Sequence, residues 1–273
     1  LMWRRTYSDG VMSSASSQVN FFSSVLGMCT AMNVILPQTT STRGLIGVDT
    51  ADADVTYPVL YLLHGMSDDH TIWSRRTSIE RYADERGIAV VMPTTELGWY
   101  TNMKHGRQWR SFIGEELPAI CHDFFPRISQ KREDTYIAGL SMGGYGAYAL
   151  AMTYPEQYSA AAALSAAFLP LRFGRDTEPF WQDIFGTMSE YTGGENDLIA
   201  LSSRLVREGA PLPRLYMWCG TEDGLYSQNI AMRDHLNKLG WEDFTYEESA
   251  GNHNWRCWDE KIQTVLAWLH AGR

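Results

Sequence analysis

The sequence predicts an α/β protein in which helices cover both faces of a mostly parallel sheet. Short apolar runs rich in β-branched and aromatic residues alternate with helical segments along most of the chain. Residues 57–65 are almost continuously apolar and end in glycine, which is typical of a central parallel strand buried on both faces. Residues 19–36 differ, because two strand-like runs flank Leu26 and Gly27 and predict an antiparallel hairpin at the sheet edge.

The remaining elements follow from the same patterns. We predict further strands at residues 88–93, 135–141, 158–168, 214–220 and 243–249, and helices at residues 77–86, 111–125, 143–155, 227–239 and 261–270. Gly87 closes the first of these helices, and Pro118 predicts a kink in the second. Residues 170–213 break the alternation, so we interpret them as an insertion that covers one end of the sheet. The prediction is a single domain over residues 19–273, preceded by an N-terminal extension at 1–18.

Composition excludes several classes of protein. The 273 residues carry a formal charge of −9, so a basic surface for nucleic acid is not expected. The sequence has no apolar run of the roughly 18 residues needed to span a bilayer, and residues 1–18 lack the apolar stretch of a secretory signal. The four cysteines form no CxxC pair, which argues against a zinc or redox site. We therefore expect a cytoplasmic protein, for which a homo-oligomeric state remains open.

The motif Gly139-Leu-Ser141-Met-Gly143 lies between a predicted strand and a predicted helix. A serine on such a tight turn is held in a strained backbone conformation with its hydroxyl exposed, and the flanking glycines allow close packing. Two other interpretations are a turn of small residues that serves packing alone and a nucleotide-binding loop at Gly144 and Gly146. The second is disfavoured because those glycines fall inside the helix. The motif predicts a nucleophilic serine at Ser141.

A serine nucleophile needs a histidine base and an acid, in the chain order Ser, Asp or Glu, His. Four histidines precede Ser141 and two others fall in predicted helices, which leaves His253 in the loop after the last strand. Glu222 and Asp223 both follow a predicted strand, at the end where open α/β sheets place their sites. Asp223 is favoured because Gly224 beside it permits a tight loop, and Glu222 is the alternative.

An oxyanion hole completes this chemistry with two backbone N–H groups. Met142 follows the nucleophile and supplies one by position. Met66, which follows His64 and Gly65 at the end of a central strand, is expected to supply the other. His64 and His70 with Asp68 and Asp69 are residue types that bind metals, but their spacing matches no metal motif. We expect neither a metal nor a cofactor.

Four segments together resemble a known family. They are LLHGMSDDHTIW, GLSMGGYGA, CGTEDGLY and GNHNW. They look like the esterase family that includes esterase D, S-formylglutathione hydrolase and, most similar, the bacterial tributyrin esterases. The resemblance covers the chain from about Val19 onward. It implies an α/β-hydrolase fold, a triad of Ser141, Asp223 and His253, and oxyanion donors at Met66 and Met142.

The expected activity is hydrolysis of short-chain acyl esters through an acyl-enzyme. The resemblance leaves open a feruloyl or acetylated-carbohydrate esterase, an S-formylglutathione hydrolase and, as a different class, an acyltransferase or a non-catalytic binding protein. Bulky side chains near the predicted site favour a narrow acyl pocket, although rings of this kind often pack among themselves. The candidate pocket residues are Trp99, Phe180, Trp181, Leu225 and Trp255.

Overall fold

The computed structural model describes residues 13–38, 56–171 and 175–272. The described strands are β1 (Ser13–Ser23), β2 (Met28–Gln38), β3 (Val59–Leu63), β4 (Ala89–Pro93), β5 (Thr135–Leu140), β6 (Ala160–Leu164), β7 (Arg214–Gly220) and β8 (Phe244–Ser249). The described α-helices are α1 (Ile72–Arg76), α2 (Ile79–Asp84), α3 (Trp109–Ser111), α4 (Leu117–Phe124), α5 (Met142–Thr153), α6 (Pro179–Phe185), α7 (Met188–Tyr191), α8 (Leu198–Glu208), α9 (Tyr226–Leu239) and α10 (Trp255–Ala271). Residues 1–12 of the predicted extension and 172–174 of the predicted insertion lie outside the described residues.

The described strands form one mixed sheet in the order β1-β2-β4-β3-β5-β6-β7-β8. The predicted hairpin is present, since β1 pairs antiparallel with β2 around a turn in which Gly27 adopts a φ of 64°. A positive φ costs glycine little because it has no Cβ. β1 begins at Ser13, so the strand starts earlier in the chain than the predicted residue 19.

The central part of the sheet is parallel. β3 is buried along its whole length and pairs in parallel with β4 on one side and β5 on the other, as its apolar sequence predicts. β6 is shorter than predicted, because Ser165 turns the chain with a φ of 47° directly after Leu164. The carboxyl ends of the parallel strands β3, β5, β7 and β8 lie at the same end of the sheet, where the loops that follow these strands can meet.

Helices cover both faces of the sheet. On one face, α5, α8 and α9 pack over a core rich in aromatic side chains, and on the other face α1, α2 and α10 pack over a second apolar core. The predicted helix at 111–125 is interrupted, because a π-helical segment at Phe112–Glu116 joins α3 to α4 just before Pro118. The Glu116 carboxylate in this segment accepts hydrogen bonds from Ser23 and Ser24, and it thereby fixes the β1–β2 turn.

The segment predicted as an insertion contains two kinds of structure. α6 and α7 are short and break the regular order of the fold, and we call them the cover helices. α8 packs against α5 and α9, as a normal connection between β6 and β7 would. In the described part of the chain, no helix is long and apolar enough to cross a membrane. The four cysteines are free thiols.

Candidate active site

Ser141 occupies the turn between β5 and α5 with φ 52° and ψ −117°, outside the conformations that residues with a side chain prefer. The turn is fixed from two sides. The Ser141 amide donates to the Leu164 carbonyl at 2.9 Å, and the Ser141 carbonyl accepts from the Tyr145 and Ala167 amides at 3.1 Å each. The strained conformation is thus maintained by the neighbouring strand and helix.

The glycines around Ser141 are required for close backbone packing. A Cβ at Gly139 would lie 2.3 Å from the Gly143 carbonyl oxygen, and one at Gly143 would lie 2.6 Å from the His64 carbonyl oxygen. The two glycines of the nucleotide-binding alternative have the same role inside α5. Gly144 packs against Ala166 and Gly146 against the Tyr100 ring, where a Cβ would come within 2.7 Å and 2.3 Å respectively. These glycines join the helix to its neighbours and do not form a phosphate-binding loop.

Three predicted residues form a continuous chain of hydrogen bonds. His253 Nε2 lies 3.0 Å from Ser141 Oγ. His253 Nδ1 lies 2.9 Å from Asp223 Oδ2 and 3.2 Å from Oδ1. The Asp223 side chain is completely buried, whereas the His253 side chain is 36% exposed. The geometry allows His253 to take a proton from the serine hydroxyl while the carboxylate orients its ring.

Asp223 remains a carboxylate despite its burial. Removal from water would by itself raise the pKa of Asp223, but hydrogen bonds from His253 and the Leu225 amide, with a smaller contribution from Ser165, outweigh that effect and lower it. The Leu225 amide donates to Asp223 Oδ1 at 2.8 Å. The alternative acid, Glu222, is exposed, and its amide donates to the Gly251 carbonyl at 2.9 Å. Asp223 is therefore the acidic side chain that His253 contacts.

The loop after β3 approaches Ser141 from the other side. A Cβ at Gly65 would lie 3.8 Å from Ser141 Cβ, so this backbone runs directly beside the serine, and it would lie 2.7 Å from Leu140 Cδ1, which would have to move. Three successive carbonyls of the segment accept hydrogen bonds from side chains. The donor–acceptor pairs are Trp73 Nε1 with Leu63 O at 3.0 Å, Tyr100 OH with His64 O at 2.9 Å, and His64 Nδ1 with Gly65 O at 2.7 Å.

His64 fixes the orientation of the peptide that joins Gly65 to Met66. Its Nε2 accepts from the Thr95 amide at 3.0 Å, which assigns the ring proton to Nδ1 and directs it to the Gly65 carbonyl. Burial lowers the pKa of His64 to about 4, so the ring is neutral at pH 7. Because the C=O and N–H of a trans peptide point in opposite directions, the Met66 N–H is directed away from His64.

The His64–His70 segment does not form a metal centre in this structure. His70 Nδ1 lies 2.8 Å from the Thr94 hydroxyl, and both nitrogens of His64 are used within the protein. Across residues 13–38, 56–171 and 175–272, no group of three or more His, Cys, Asp and Glu side chains is arranged to hold a metal ion.

The five predicted pocket residues fall into two groups. Trp99 and Trp181 are buried with ring centroids 5.1 Å apart, and the partly exposed Phe180 packs on Trp181 at the same distance. Leu225 and Trp255 are half-buried on the side of His253, where Trp255 packs between Trp73 and Trp258. The Trp99 and Trp181 rings thus pack against each other and are shielded from solvent.

Several residues around the site belong to no sequence motif. Tyr100 and Trp73 hold the carbonyls of the β3 loop, and Ser165 and Trp258 lie behind Asp223 and His253. The one available signal was the spacing of Trp255 and Trp258, which places both indoles on the same side of a helix that begins two residues after His253. Ser165 had none, because its position depends on where β6 ends.

Comparisons with known proteins identify the family of the chain. A family model described as "Putative esterase" matches residues 23–269. An acetyl esterase from Caldicellulosiruptor saccharolyticus is 31% identical over 272 residues, which cover 93% of this chain and 98% of the relative. The solved structure of FphF, a fluorophosphonate-binding serine hydrolase from Staphylococcus aureus, superposes with a TM-score of 0.85 at 34% identity, covering 94% of this chain and 99% of the other. S-formylglutathione hydrolase FrmB from the same organism gives a TM-score of 0.82 at 34% identity with the same coverage.

Proposed function

The chain belongs to this esterase family and is a carboxylester-hydrolysing enzyme of α/β-hydrolase fold, and we propose that it hydrolyses short-chain acyl esters through an acyl-enzyme on Ser141. The observation that carries the proposal is the unbroken hydrogen-bond chain from Ser141 Oγ through both nitrogens of His253 to the buried Asp223 carboxylate. Each link lies between 2.9 and 3.2 Å, within the range that proton transfer requires.

In the first half of the reaction, Ser141 Oγ attacks the ester carbonyl carbon while its proton moves to His253 Nε2. The carbonyl π electrons move onto the oxygen and form a tetrahedral oxyanion. Asp223 holds the ring in the correct tautomer and stabilises the imidazolium that forms. When the intermediate collapses, the bond from carbon to the alcohol oxygen breaks and His253 gives its proton to the departing alkoxide. The products are a free alcohol and an acylated Ser141.

The oxyanion is stabilised by backbone donors in this proposal. The Met142 N–H belongs to the first turn of α5, where the amides lack partners within the helix and the helix dipole favours negative charge. The Met66 N–H is directed away from His64, and the adjacent Gly65 lies against Ser141. Both donors are held rigidly before the substrate binds, which is the condition under which such donors lower the barrier most.

In the second half, water attacks the acyl carbon while His253 takes its proton; the bond from that carbon to Ser141 Oγ then breaks, His253 returns the proton to Oγ, and the carboxylic acid leaves. The 36% exposure of the His253 side chain supports hydrolysis, because water can reach the atom that must activate it. An alcohol could replace water in the same position and make the enzyme an acyltransferase. Comparing product formation in water with that in added alcohol separates the two reactions.

The acyl group is proposed to be short, from acetyl to butyryl. The support is the buried packing of Trp99 and Trp181, which fills space beside the β4 loop, and the similarity to a relative named an acetyl esterase. The similarity to S-formylglutathione hydrolase FrmB keeps a small thioester as the second candidate substrate, since formyl is smaller still. Neither substrate requires a metal or a cofactor.

The nucleophile is tested with a fluorophosphonate, whose phosphorus forms a bond to the serine oxygen as fluoride leaves. Wild-type protein should become phosphonylated at Ser141 with one group per chain, as found by peptide mass spectrometry. Ser141→Ala should remain unlabelled and lose about a millionfold in kcat with p-nitrophenyl acetate. Ser24→Ala, which removes an exposed hydroxyl on the β1–β2 turn, is the matched control and should behave as wild type.

Labelling at another serine, or more than about a tenth of the wild-type rate in folded Ser141→Ala, would overturn the proposal. A feruloyl ester or S-formylglutathione hydrolysed faster than every short acyl ester would keep the mechanism and change the substrate.

A further inference from the structure

A buried serine lies behind the proposed acid. Ser165 follows β6 with a φ of 47° and is completely inaccessible to solvent. Its amide donates to the Trp218 carbonyl at 2.8 Å, which holds the turn in place. A left-handed backbone is uncommon for serine, and such strain persists only where the surroundings enforce it. The turn keeps the Ser165 hydroxyl inside the protein, beside Asp223.

The hydroxyl of Ser165 anchors a tryptophan. Trp258 Nε1 donates to Ser165 Oγ at 3.2 Å. An indole nitrogen can only donate, so the serine oxygen is the acceptor. Both residues are buried, so this hydrogen bond fixes the orientation of the Trp258 indole.

Trp258 also contacts the proposed base directly. Its ring meets the His253 ring edge-on, with centroids 4.8 Å apart and an interplanar angle of 88°. The other side of Trp258 packs on Trp255 at 5.3 Å, and Trp255 packs on Trp73 at 5.1 Å. Trp258 thus has a fixed position, since α10 anchors its backbone and neighbouring rings confine its indole.

We propose that Trp258 and Ser165 are positioning residues that fix the His253 ring in the orientation that reaches both Asp223 and Ser141; the inference rests on the esterase mechanism proposed above. Trp258 packs edge-on against the His253 ring, and Ser165 holds the Trp258 indole in place. Loss of that hydrogen bond frees the indole, and His253 then spends less time aligned with Ser141. Neither positioning residue is assigned a contact with the substrate.

The test compares Ser165→Ala, Trp258→Phe and the double variant with p-nitrophenyl acetate. Phenylalanine keeps an aromatic ring against His253 but lacks the N–H, and alanine keeps the backbone of the turn but lacks the hydroxyl. Each single variant should lower kcat by about threefold to tenfold, the size of one neutral hydrogen bond, with KM unchanged. The double variant should lose little more than the worse single variant, because both changes interrupt the same connection.

Fluorophosphonate labelling separates positioning from folding. The variants should label Ser141 more slowly but to the same final stoichiometry, whereas a folding defect would lower the stoichiometry. Trp268→Phe, on the same helix, is the matched control and should retain the wild-type kcat. The inference is overturned if the two single losses multiply in the double variant, if KM rises while kcat is intact, or if Ser165→Ala keeps full kcat. Failure of Ser141 to label at all would instead refute the underlying mechanism.

Discussion

The loops around Ser141 and the cover helices α6 and α7 are stabilised by different kinds of contact. Around Ser141, buried or part-buried hydrogen bonds of 2.7–3.2 Å reach the backbone, as at the Leu63 and Gly65 carbonyls, or a side chain, as at Asp223. The side chains of the cover helices are held by packed rings and by exposed ion pairs to the β4–α3 loop, and the backbone of that loop donates to the Asp183 and Ile184 carbonyls at 2.8 and 3.1 Å. The two ion pairs are Lys104 with Glu190 at 2.7 Å and His105 with Asp183 at 3.3 Å.

The difference indicates how each region can change. A hydrogen bond requires a particular atom at a particular place, so the residues around Ser141 have few substitutes. Packed rings require volume, and several combinations of apolar side chains can supply the same volume. Exposed ion pairs add little stability because water screens them. We therefore expect substitutions around Ser141 to alter the rate of reaction, and substitutions in the cover helices to alter the choice of acyl group.

Substitution of the proposed catalytic acid gives the largest expected effect on kcat. Asp223→Asn should lower kcat by about ten-thousandfold, because an amide stabilises the wrong tautomer of His253. Glu222→Gln is the matched control one residue away, and it should change kcat less than twofold, since Glu222 is exposed. The measurement is steady-state kinetics with p-nitrophenyl acetate. If Glu222→Gln proves the more damaging change, the acid is misassigned.

Removal of the proposed oxyanion donor at Met66 gives the next largest effect on kcat. Met66→Pro removes the backbone N–H and should lower kcat by about a hundredfold to a thousandfold with little change in KM. Met66→Leu retains the N–H and should stay near wild type, because the Met66 side chain is exposed. The melting temperature of both variants shows whether the loop still folds. Equal activity in the proline and leucine variants would remove Met66 from the oxyanion hole.

Buried polar contacts should also make the loops around Ser141 sensitive to acid. With its pKa lowered to about 4 from an ordinary value of 6.5, His64 stays neutral in the folded state while the unfolded chain takes up a proton. The free energy of unfolding should therefore fall as the pH drops from about 6.5 to 4, and His64 contributes about 3 kcal/mol to that fall.

Denaturant unfolding across this pH range measures the contribution of His64. His64→Asn should flatten the profile by that amount, whatever it does to stability at pH 7. Burial also lowers the pKa of His70, His122 and His235. The pH profile of the variant is therefore compared with that of the wild type and not with a pH-independent free energy of unfolding. A His64→Asn profile parallel to wild type would contradict the neutral, buried assignment.

The same distinction explains what the sequence could predict. The strand-turn-helix around Ser141 is a local pattern, and chain order then selected His253, so neither step needed distant contacts. The fold followed from alternation, and the boundaries of its strands were mostly right. Asp223 could be separated from Glu222 only by a weaker argument about loop shape, and the structure supports the same choice through a hydrogen bond to His253.

Contacts between distant segments that belong to no sequence motif could not be predicted. Tyr100 reaches His64 across 36 positions, and Trp258 reaches Ser165 across 93. No spacing rule connects residues so far apart. Ser165 also lies in an alanine-rich segment that was predicted as a strand longer than β6. The π-helical segment before Pro118 was missed for the same reason, because it accompanies the distant contact of Glu116 with the β1–β2 turn.

The smallest expected effect is on the preference for acyl length, and it comes from a substitution in the cover helices. Wild-type kcat/KM should be highest between acetyl and butyryl p-nitrophenyl esters and should fall towards octanoyl, because Trp181 occupies space between Trp99 and Phe185. Trp181→Ala removes that ring, and each methylene that the new space admits contributes about 0.8 kcal/mol, or roughly fourfold. Since the cover can partly collapse, we expect the ratio of octanoyl to butyryl kcat/KM to rise about tenfold, less than four full methylenes would give.

Trp241→Ala is the matched control for that change, because Trp241 is as buried as Trp181, at 5% exposure, but donates to the Pro213 carbonyl in the β7–β8 region of the fold. It should lower stability comparably and leave the acyl profile unchanged. A wild-type rate that rises steadily to octanoyl would refute the narrow pocket. If Trp181→Ala and Trp241→Ala instead give the same profile, the cover rings pack only among themselves, and acyl selection must come from Leu225 and Trp255 on the other side of Ser141.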